Sequence, residues 1–213
     1  NGKICRIKNV PRRAAGPDIR QIVIGNEGAL CFITEVTMKL FPYLPQNNRY
    51  IAYKLDDSQM KLGFDCLREV MVNGYRPSFA RLYDAADAQQ HFSAWLEPDK
   101  AILIWMAEGA EGITKATYEG IKELMSKHPE LEPVETDLIE KWYLGLNWGP
   151  ENIAQEMEEI KATKNIGITT EVSGCWDCIY EIYKTSCERI ANEVPDITMI
   201  GGHSSHSYIN GTN

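Results

Sequence analysis

Three small groups of residues in this 213-residue chain have the types and spacing that chemistry needs. The first is a pair of glycine turns. Gly16-Pro17-Asp18 reads as a turn into a helix start, where backbone N–H groups without intrahelical partners favour an anion. Gly25-Asn26-Glu27-Gly28 is a second tight turn, where glycine lets the backbone approach a ligand closely. Flanking one short helical segment, the two suit a nucleotide-diphosphate cradle, although neither a GxGxxG fingerprint nor a P-loop is present. The second group is Cys175-Trp176-Asp177-Cys178, a CxxC whose spacing fits a redox pair or half a metal site. No second CxxC accompanies it, so buried or half-buried thiols are the expectation for all six cysteines. The third group is His203 and His206. Their strand-like context puts positions i and i+3 on opposite faces, which points to polar residues at a strand end and not to metal ligands.

Charge narrows the partners. The chain carries 22 Lys and Arg against 30 Asp and Glu, for a net charge of −8. Residues 1–49 hold eight basic and three acidic side chains, whereas the remainder holds 14 basic and 27 acidic. An acidic bulk disfavours nucleic acid, because phosphate binding needs clustered Lys and Arg to release counterions. The basic opening suits either a phosphate or a solvated stretch. The longest apolar run, Ala101 to Ala107, is too short to span a bilayer. The opening Asn-Gly-Lys-Ile-Cys has neither an initiator Met nor a basic-then-apolar leader, so no targeting segment is expected within it. Six cysteines scattered over this length do not make a disulfide framework, and a reducing cytoplasm is the natural compartment.

The elements that must position these residues follow from periodicity. Strands are expected at Lys3–Val10, Cys31–Leu40, Tyr50–Leu55, Ser78–Tyr83, Ala101–Ala107, Ile166–Val172 and Ile197–Gly201. Helices are expected at Pro17–Ile24, after a cap at Asp56 or Ser58, and at Ile113–Ser126, Thr136–Gly145, Asn152–Thr163 and Asp177–Asn192. Met60, Phe64, Leu67 and Met71 form one inward stripe; Ile121, Leu124 and Met125 form another, and Ile179, Ile182, Tyr183 and Ile190 a third. The Pro- and Asn-bearing Tyr43–Asn48 reads as a linker, dividing the chain into residues 1–46 and 47–213. The fold class is α+β, a mixed or antiparallel sheet with helices packed on one face.

Against this reading, the stretch Ala14 to Pro42 closely resembles the closing segment of the flavin-binding domain in FAD-linked oxidases of the vanillyl-alcohol-oxidase type. The residues that carry the likeness are Gly16-Pro17-Asp18, then Asn26-Glu27-Gly28-Ala29-Leu30, then Ile33-Thr34-Glu35 and a run ending at Pro42. The Gly-Pro-Asp form looks most like the alkyldihydroxyacetonephosphate synthase branch, with the glycolate oxidase and D-lactate dehydrogenase branch as runner-up. Downstream, Arg81-Leu82-Tyr83-Asp84 resembles that branch's Arg-Leu-x-Asp at the start of its cap domain. Thr170 to Trp176 resembles its Glu-Thr-Ser-x-x-Trp, and Ser205 to Tyr208 with Gly211 resembles the approach to its central active-site strand.

The resemblance implies that residues 1–46 are the end of an FAD-binding domain and 47–213 most of a substrate-covering cap. It implies FAD bound mainly by residues preceding Asn1 and not retained by this piece alone. Gly16, Pro17, Asp18, Glu27, Gly28, Ala29, Leu30, Cys31, Phe32 and Ile33 would lie along the cofactor, and Arg81 would be catalytic. The implied partners are a small-molecule substrate and the rest of the FAD-binding domain, with room for a homodimer. Departures qualify the branch. Ala14-Ala15 stand where the family has Ser-Thr, and Cys31 where it has a small Gly. Gly149 to Glu159 lacks the arginine with which the synthase branch grips a phosphate, and the branch's active-site tyrosine would fall just past Asn213. The function implied is part of an FAD-dependent oxidoreductase or flavin-dependent alkyl transferase. The alternatives are a 2-hydroxy-acid oxidase or dehydrogenase and, in another class, a non-catalytic binding module that reuses the cap.

Overall fold

The fully apolar run of the sequence becomes the spine of the structure. The computed structural model describes residues 2–11, 15–146 and 149–213, in two units, Asn1–Pro42 and Tyr43–Asn213. In the second unit β3 (Lys100–Ala107) is buried at every position after the first. Here β1 and β2 name Arg49–Asp56 and Phe79–Tyr83; both flank β3 antiparallel, so that Tyr53 and Leu82 lie on either side of Leu103. Two-residue strands β4 (Glu132–Pro133) and β6 (His203–Ser204) extend the sheet beyond β1 and β2. The order is β4-β1-β3-β2-β6, antiparallel throughout. A separate short ladder pairs β5 (Gly174–Cys175) with β7 (Gly211–Thr212).

Alternation along the strands divides the core in two. Ile51, Leu55, Ala80, Leu82, Leu103 and Trp105 meet α2 (Met60–Val72), α4 (Glu111–Met125) and the start of α7 (Ile179–Glu193). Tyr50, Ala52, Tyr83, Ile102, Ile104 and Met106 face the other way, toward α3 (Ala85–Phe92) and α5 (Thr136–Leu144). The expected α+β class with an antiparallel sheet and packed helices is the observed one. The larger helices share one face, and α3 with α5 closes the second, because a central strand apolar at every position leaves neither face free for water.

Individual elements differ from the sequence expectation in instructive ways. Met60, Phe64 and Leu67 of α2 are buried as their spacing requires, but Val70 and not Met71 completes the stripe; both border it at 3.6 residues per turn. Neither Asp56 nor Ser58 caps that helix; the Asp57 carboxylate instead accepts the Ala85 N–H at 2.7 Å. Ile121, Leu124 and Met125 of α4 are buried, whereas α7 buries only Ile179 and leaves Ile182, Tyr183 and Ile190 half-buried. The helix α6 (Pro150–Thr163) forms and buries no residue. Of the expected helix at Pro17–Ile24 only α1 (Arg20–Val23) is helical. The runs Lys3–Val10, Cys31–Leu40, Ile166–Val172 and Ile197–Gly201 form no strand. A β-branched alternating run becomes a strand only when a neighbour takes up its N–H and C=O groups, and among the described residues none does.

Leu103 is fully buried at the centre of the sheet, between Tyr53 and Leu82. Leu103→Ala is expected to cost about 2–5 kcal/mol, read as a lower urea midpoint at unchanged slope.

Candidate functional site

Strand β2 delivers Arg81 to the sheet face covered by α3 and α5, one residue out of phase with core-facing Ala80 and Leu82. Its Nη1 donates to the Tyr83 hydroxyl at 2.7 Å. The guanidinium carbon stands 6.0 Å from the Tyr83 ring centre and 5.8 Å from that of Trp142 on α5, within cation–π range of both. Arg81 Nε and Trp142 Nε1 are both buried and have no hydrogen-bond partner among the described residues. A buried N–H without an acceptor costs about 1–3 kcal/mol, so both groups are held here at the expense of stability.

Tyr83 is the hub of an aromatic cluster, with ring centres of His203, His91, Phe92 and Trp142 at 5.1, 5.4, 5.7 and 6.2 Å. Burial pushes its hydroxyl pKa up, against the opposing pull of Arg81, so it remains a neutral acceptor for the guanidinium. His203 Nδ1 lies 2.7 Å from Asp87 Oδ2, which fixes the ring and leaves Nε2 as its second functional nitrogen. His91 exposes much of its surface, yet its ring rests on Tyr83 and Phe92; that partial desolvation lowers its pKa, with Asp87 opposing.

Asp84 holds this arrangement together. Its Oδ1 accepts the Asp87 N–H at 2.9 Å and caps α3, and its Oδ2 accepts the Tyr183 hydroxyl at 2.8 Å and the Gly202 N–H at 2.6 Å. The Asp84 N–H returns a bond to Gly202 O at 3.0 Å. A Cβ on Gly202 would stand 2.6 Å from the Tyr183 ring, so only glycine permits this approach. Burial raises the Asp84 pKa, its three hydrogen bonds opposing; burial, then the Asp84 charge, raises that of Tyr183. Sequence reasoning singled out Arg81 but missed Tyr83, Asp84, Asp87, Trp142 and His203 as its surroundings. The signals were an Asp just before a helix and aromatic residues on separate elements.

The glycine turns lie in the first unit, which is described by itself. Gly16, Gly25, Glu27 and Gly28 have positive φ of 75°, 76°, 49° and 82°. The helix start after Gly16 is already served, since Asp18 Oδ1 accepts the Arg20 N–H at 3.2 Å and Asp18 pairs with the Arg20 guanidinium at 2.6 Å. Asp18 thus takes up the first free N–H of this helix start. Asn26 Oδ1 accepts the N–H groups of Leu30 and Cys31 at 3.2 and 3.3 Å, so Asn26 organises the turn. Pro17, Ala29, Leu30, Phe32 and Ile33 are exposed, Phe32 by 90%, while Cys31 is half-buried. Ala14, one half of the Ala-Ala departure, lies outside the described residues.

Of the remaining candidates, His206 Nδ1 contacts Ser205 Oγ at 2.9 Å and, among the described residues, shares no partner with His203. The expectation of buried or half-buried thiols holds for Cys31, Cys66 and Cys187 and fails for Cys5, Cys175 and Cys178, which are exposed. The CxxC occupies the turn between β5 and α7, where no packed layer covers it. Among the described residues no helix is long and apolar enough to cross a membrane.

Comparison with known proteins places relatives beside this geometry. No family model matches the chain. An uncharacterized FAD-linked oxidoreductase, YgcU, of Escherichia coli O157:H7 is 59% identical over 216 residues, covering 100% of this chain and 44% of the relative. Its counterpart in Escherichia coli strain K12 is 58% identical with the same coverage. The alkyldihydroxyacetonephosphate synthase of Caenorhabditis elegans is 32% identical over 135 residues, 57% of this chain and 22% of that protein. This chain therefore spans less than half the length of these relatives. A solved structure of alkyldihydroxyacetonephosphate synthase in P212121 superposes with a TM-score of 0.65 at 17% identity, over 92% of this chain and 40% of that one, a likeness of fold.

The Asp84 junction gives a pH-dependent expectation. Its folded pKa lies above its ordinary value of 3.8, so the folded state binds the proton more tightly than the unfolded one. The stabilisation from this proton is full below 3.8 and is lost as pH rises through the folded value. Asp84→Asn should flatten that decline in a series of urea midpoints across the acid range. Asp84→Ala, which also orphans the donors, should cost about 2–3 kcal/mol at neutral pH.

Proposed function

We propose that this chain is part of an FAD-dependent oxidoreductase, or of a flavin-dependent alkyl transferase resembling alkyldihydroxyacetonephosphate synthase. Residues 1–46 complete the FAD-binding domain and residues 47–213 form the cap over the substrate. The observation that supports this most is the match along the whole chain to an FAD-linked oxidoreductase at 59% identity. FAD is the cofactor of the whole protein; residues 1–213 alone are not expected to retain it. The partners are a small-molecule substrate, the rest of the FAD-binding domain and, in assembly, a second copy of the protein; nucleic acid is not among them, and the compartment is the cytoplasm.

The residues present fit one wall of such a cofactor site. A Cβ placed on Gly25 or Gly28 would meet nothing within 4 Å, so the backbone at that turn is open to a phosphate, whereas the Arg20 N–H beyond Gly16 is taken up by Asp18. Leu30, Phe32 and Ile33 present apolar surface beside the open turn. In this reading Gly16, Pro17, Asp18 and Glu27 through Ile33 line the cofactor, mostly through backbone. FAD supplies the electron-accepting or adduct-forming chemistry when bound. The contribution of this chain is to hold and orient. Arg81 offers a permanent cation to an oxygen of the substrate, and the Tyr83 hydroxyl and Trp142 ring fix the guanidinium in place. His203, oriented by Asp87 at Nδ1, is placed to accept or return a proton at Nε2.

A second reading, oxidation of a 2-hydroxy acid, is favoured by one observation. Gly149 to Glu159 contains no arginine, so the grip on a phosphate ester is missing where the synthase branch has it. A carboxylate needs only the one bidentate partner that Arg81 can supply.

The test uses the whole protein that contains this chain. Arg81→Lys is expected to lower kcat/KM about 10²–10³-fold while the visible flavin spectrum stays unchanged. Unchanged turnover would remove Arg81 from the chemistry. A colourless whole protein would remove the flavin reading and leave the cap as a binding module.

A further inference from the structure

The CxxC, which the flavin reading does not use, sits in a setting its sequence did not announce. Cys175 lies in β5 opposite Gly211, and Cys178 precedes the first residue of α7. The Cys178 N–H donates to Cys175 O at 3.0 Å, closing a four-residue turn. Such a turn holds its end Cα atoms within about 7 Å, which overlaps the span that a disulfide bridges. The Cys178 thiol lies 3.4 Å from Cys175 O, folded back across the turn toward its neighbour. Both residues are exposed. The other thiols lack this arrangement: Cys66 is buried, with burial pushing its pKa up to about 12, and burial also raises that of Cys187.

Cys175 also opens onto a groove. A surface depression of about 550 Å³ has Cys175 in its wall, with Trp176 and Tyr180 as aromatic sides. Lys61 and Arg68 bring positive charge to it, and Asp65, Asp177 and Glu181 negative charge, with Lys61 paired to Asp65 at 2.8 Å. A lining with both signs beside flat apolar rings suits a small zwitterionic molecule better than a simple anion. Trp176 is held in place, its N–H reaching Asn210 O at 3.4 Å and its Nε1 reaching Tyr208 O and Ile209 O at 3.1 and 3.2 Å. The wall that carries the thiol is therefore tied to the 208–211 turn.

We propose that Cys175 and Cys178 form a redox-active dithiol that exchanges with a small zwitterionic disulfide seated in this groove. The Cys175 thiolate attacks one sulfur of the small disulfide; that S–S bond breaks, a small thiolate leaves and a mixed disulfide forms on Cys175. The Cys178 thiolate then attacks the Cys175 sulfur and expels the second small thiolate, leaving Cys175 joined to Cys178. The protein loses two protons and two electrons, and both pass to the small disulfide, which becomes two small thiols. This step is independent of flavin.

Oxidised glutathione is the probe, added to the whole protein that contains this chain, with acid quenching, alkylation of remaining thiols and mass analysis of peptides. The expected result is a peptide joining Cys175 to Cys178, lighter by two hydrogens and closed to alkylation, while Cys66 stays fully alkylatable. Cys178→Ser, whose exposed position tolerates a hydroxyl before a helix, should accumulate glutathione on Cys175. Cys175→Ser should form no internal bond. Glutathione persisting on Cys175 in the unaltered chain, both thiols still alkylated after oxidation, or a Cys178→Ser chain that leaves Cys175 unmodified would each overturn the proposal.

Discussion

A carboxylate taken out of water must be given donors, and Asp84 is where this structure meets that demand. Among the described residues no Lys or Arg bonds to it; an α3 amide, the Tyr183 hydroxyl and the Gly202 amide do. Those partners are 3, 99 and 118 residues away along the chain. An unsatisfied buried carboxylate would cost more than any one of these bonds contributes, so the elements bearing the donors must arrive together. The sheet edge, α3, α7 and the segment before β6 are therefore placed by one side chain. Gly202 permits the closest of these approaches because a side chain there would collide with the Tyr183 ring.

The position of Arg81 follows from that junction and from strand alternation. Leu82 and Ala80 are drawn to the core shared with α2 and α4, which sends Arg81 and Tyr83 to the opposite face. There the guanidinium finds a hydroxyl and two aromatic rings but, among the described residues, no bonded carboxylate, and its Nε is left without an acceptor. His203 reaches the same cluster because β6 pairs with the end of β2, opposite Tyr83. A permanent cation and a neutral phenol, two residues apart on one face of β2, thus meet a carboxylate-held imidazole that β6 brings to them.

The first unit has a different character. Its turns are well determined by Asn26 and by the Asp18–Arg20 pair, but none of its described residues is buried, and it exposes Ile22, Leu30, Phe32, Val36, Met38 and Leu40. Local hydrogen bonds are enough to shape a turn. They are not enough to make a strand, which needs a ladder, or a core, which needs a second layer. The same reasoning covers Ile166–Val172, whose alternation is as clear in sequence as that of β1 yet finds no pairing partner among the described residues.

The sequence by itself determined the elements whose periodicity is self-sufficient: β3 from its unbroken apolar run, and α2, α4 and α7 from their stripes. It also carried the glycine turns and the ordered likeness to FAD-linked oxidases, since motif order survives in a linear string. Tertiary structure alone decided which alternating runs become strands, because pairing is a property of two segments. It alone decided that Val70 displaces Met71, that α3 and α5 cover the second face, and that Asp57 supports α3 rather than capping α2. It set the surroundings of Arg81 and exposed the two thiols of the CxxC. Contacts spanning about a hundred residues leave no local period to read; their cause is the desolvation of groups such as Asp84, which acts only once the chain has closed around them.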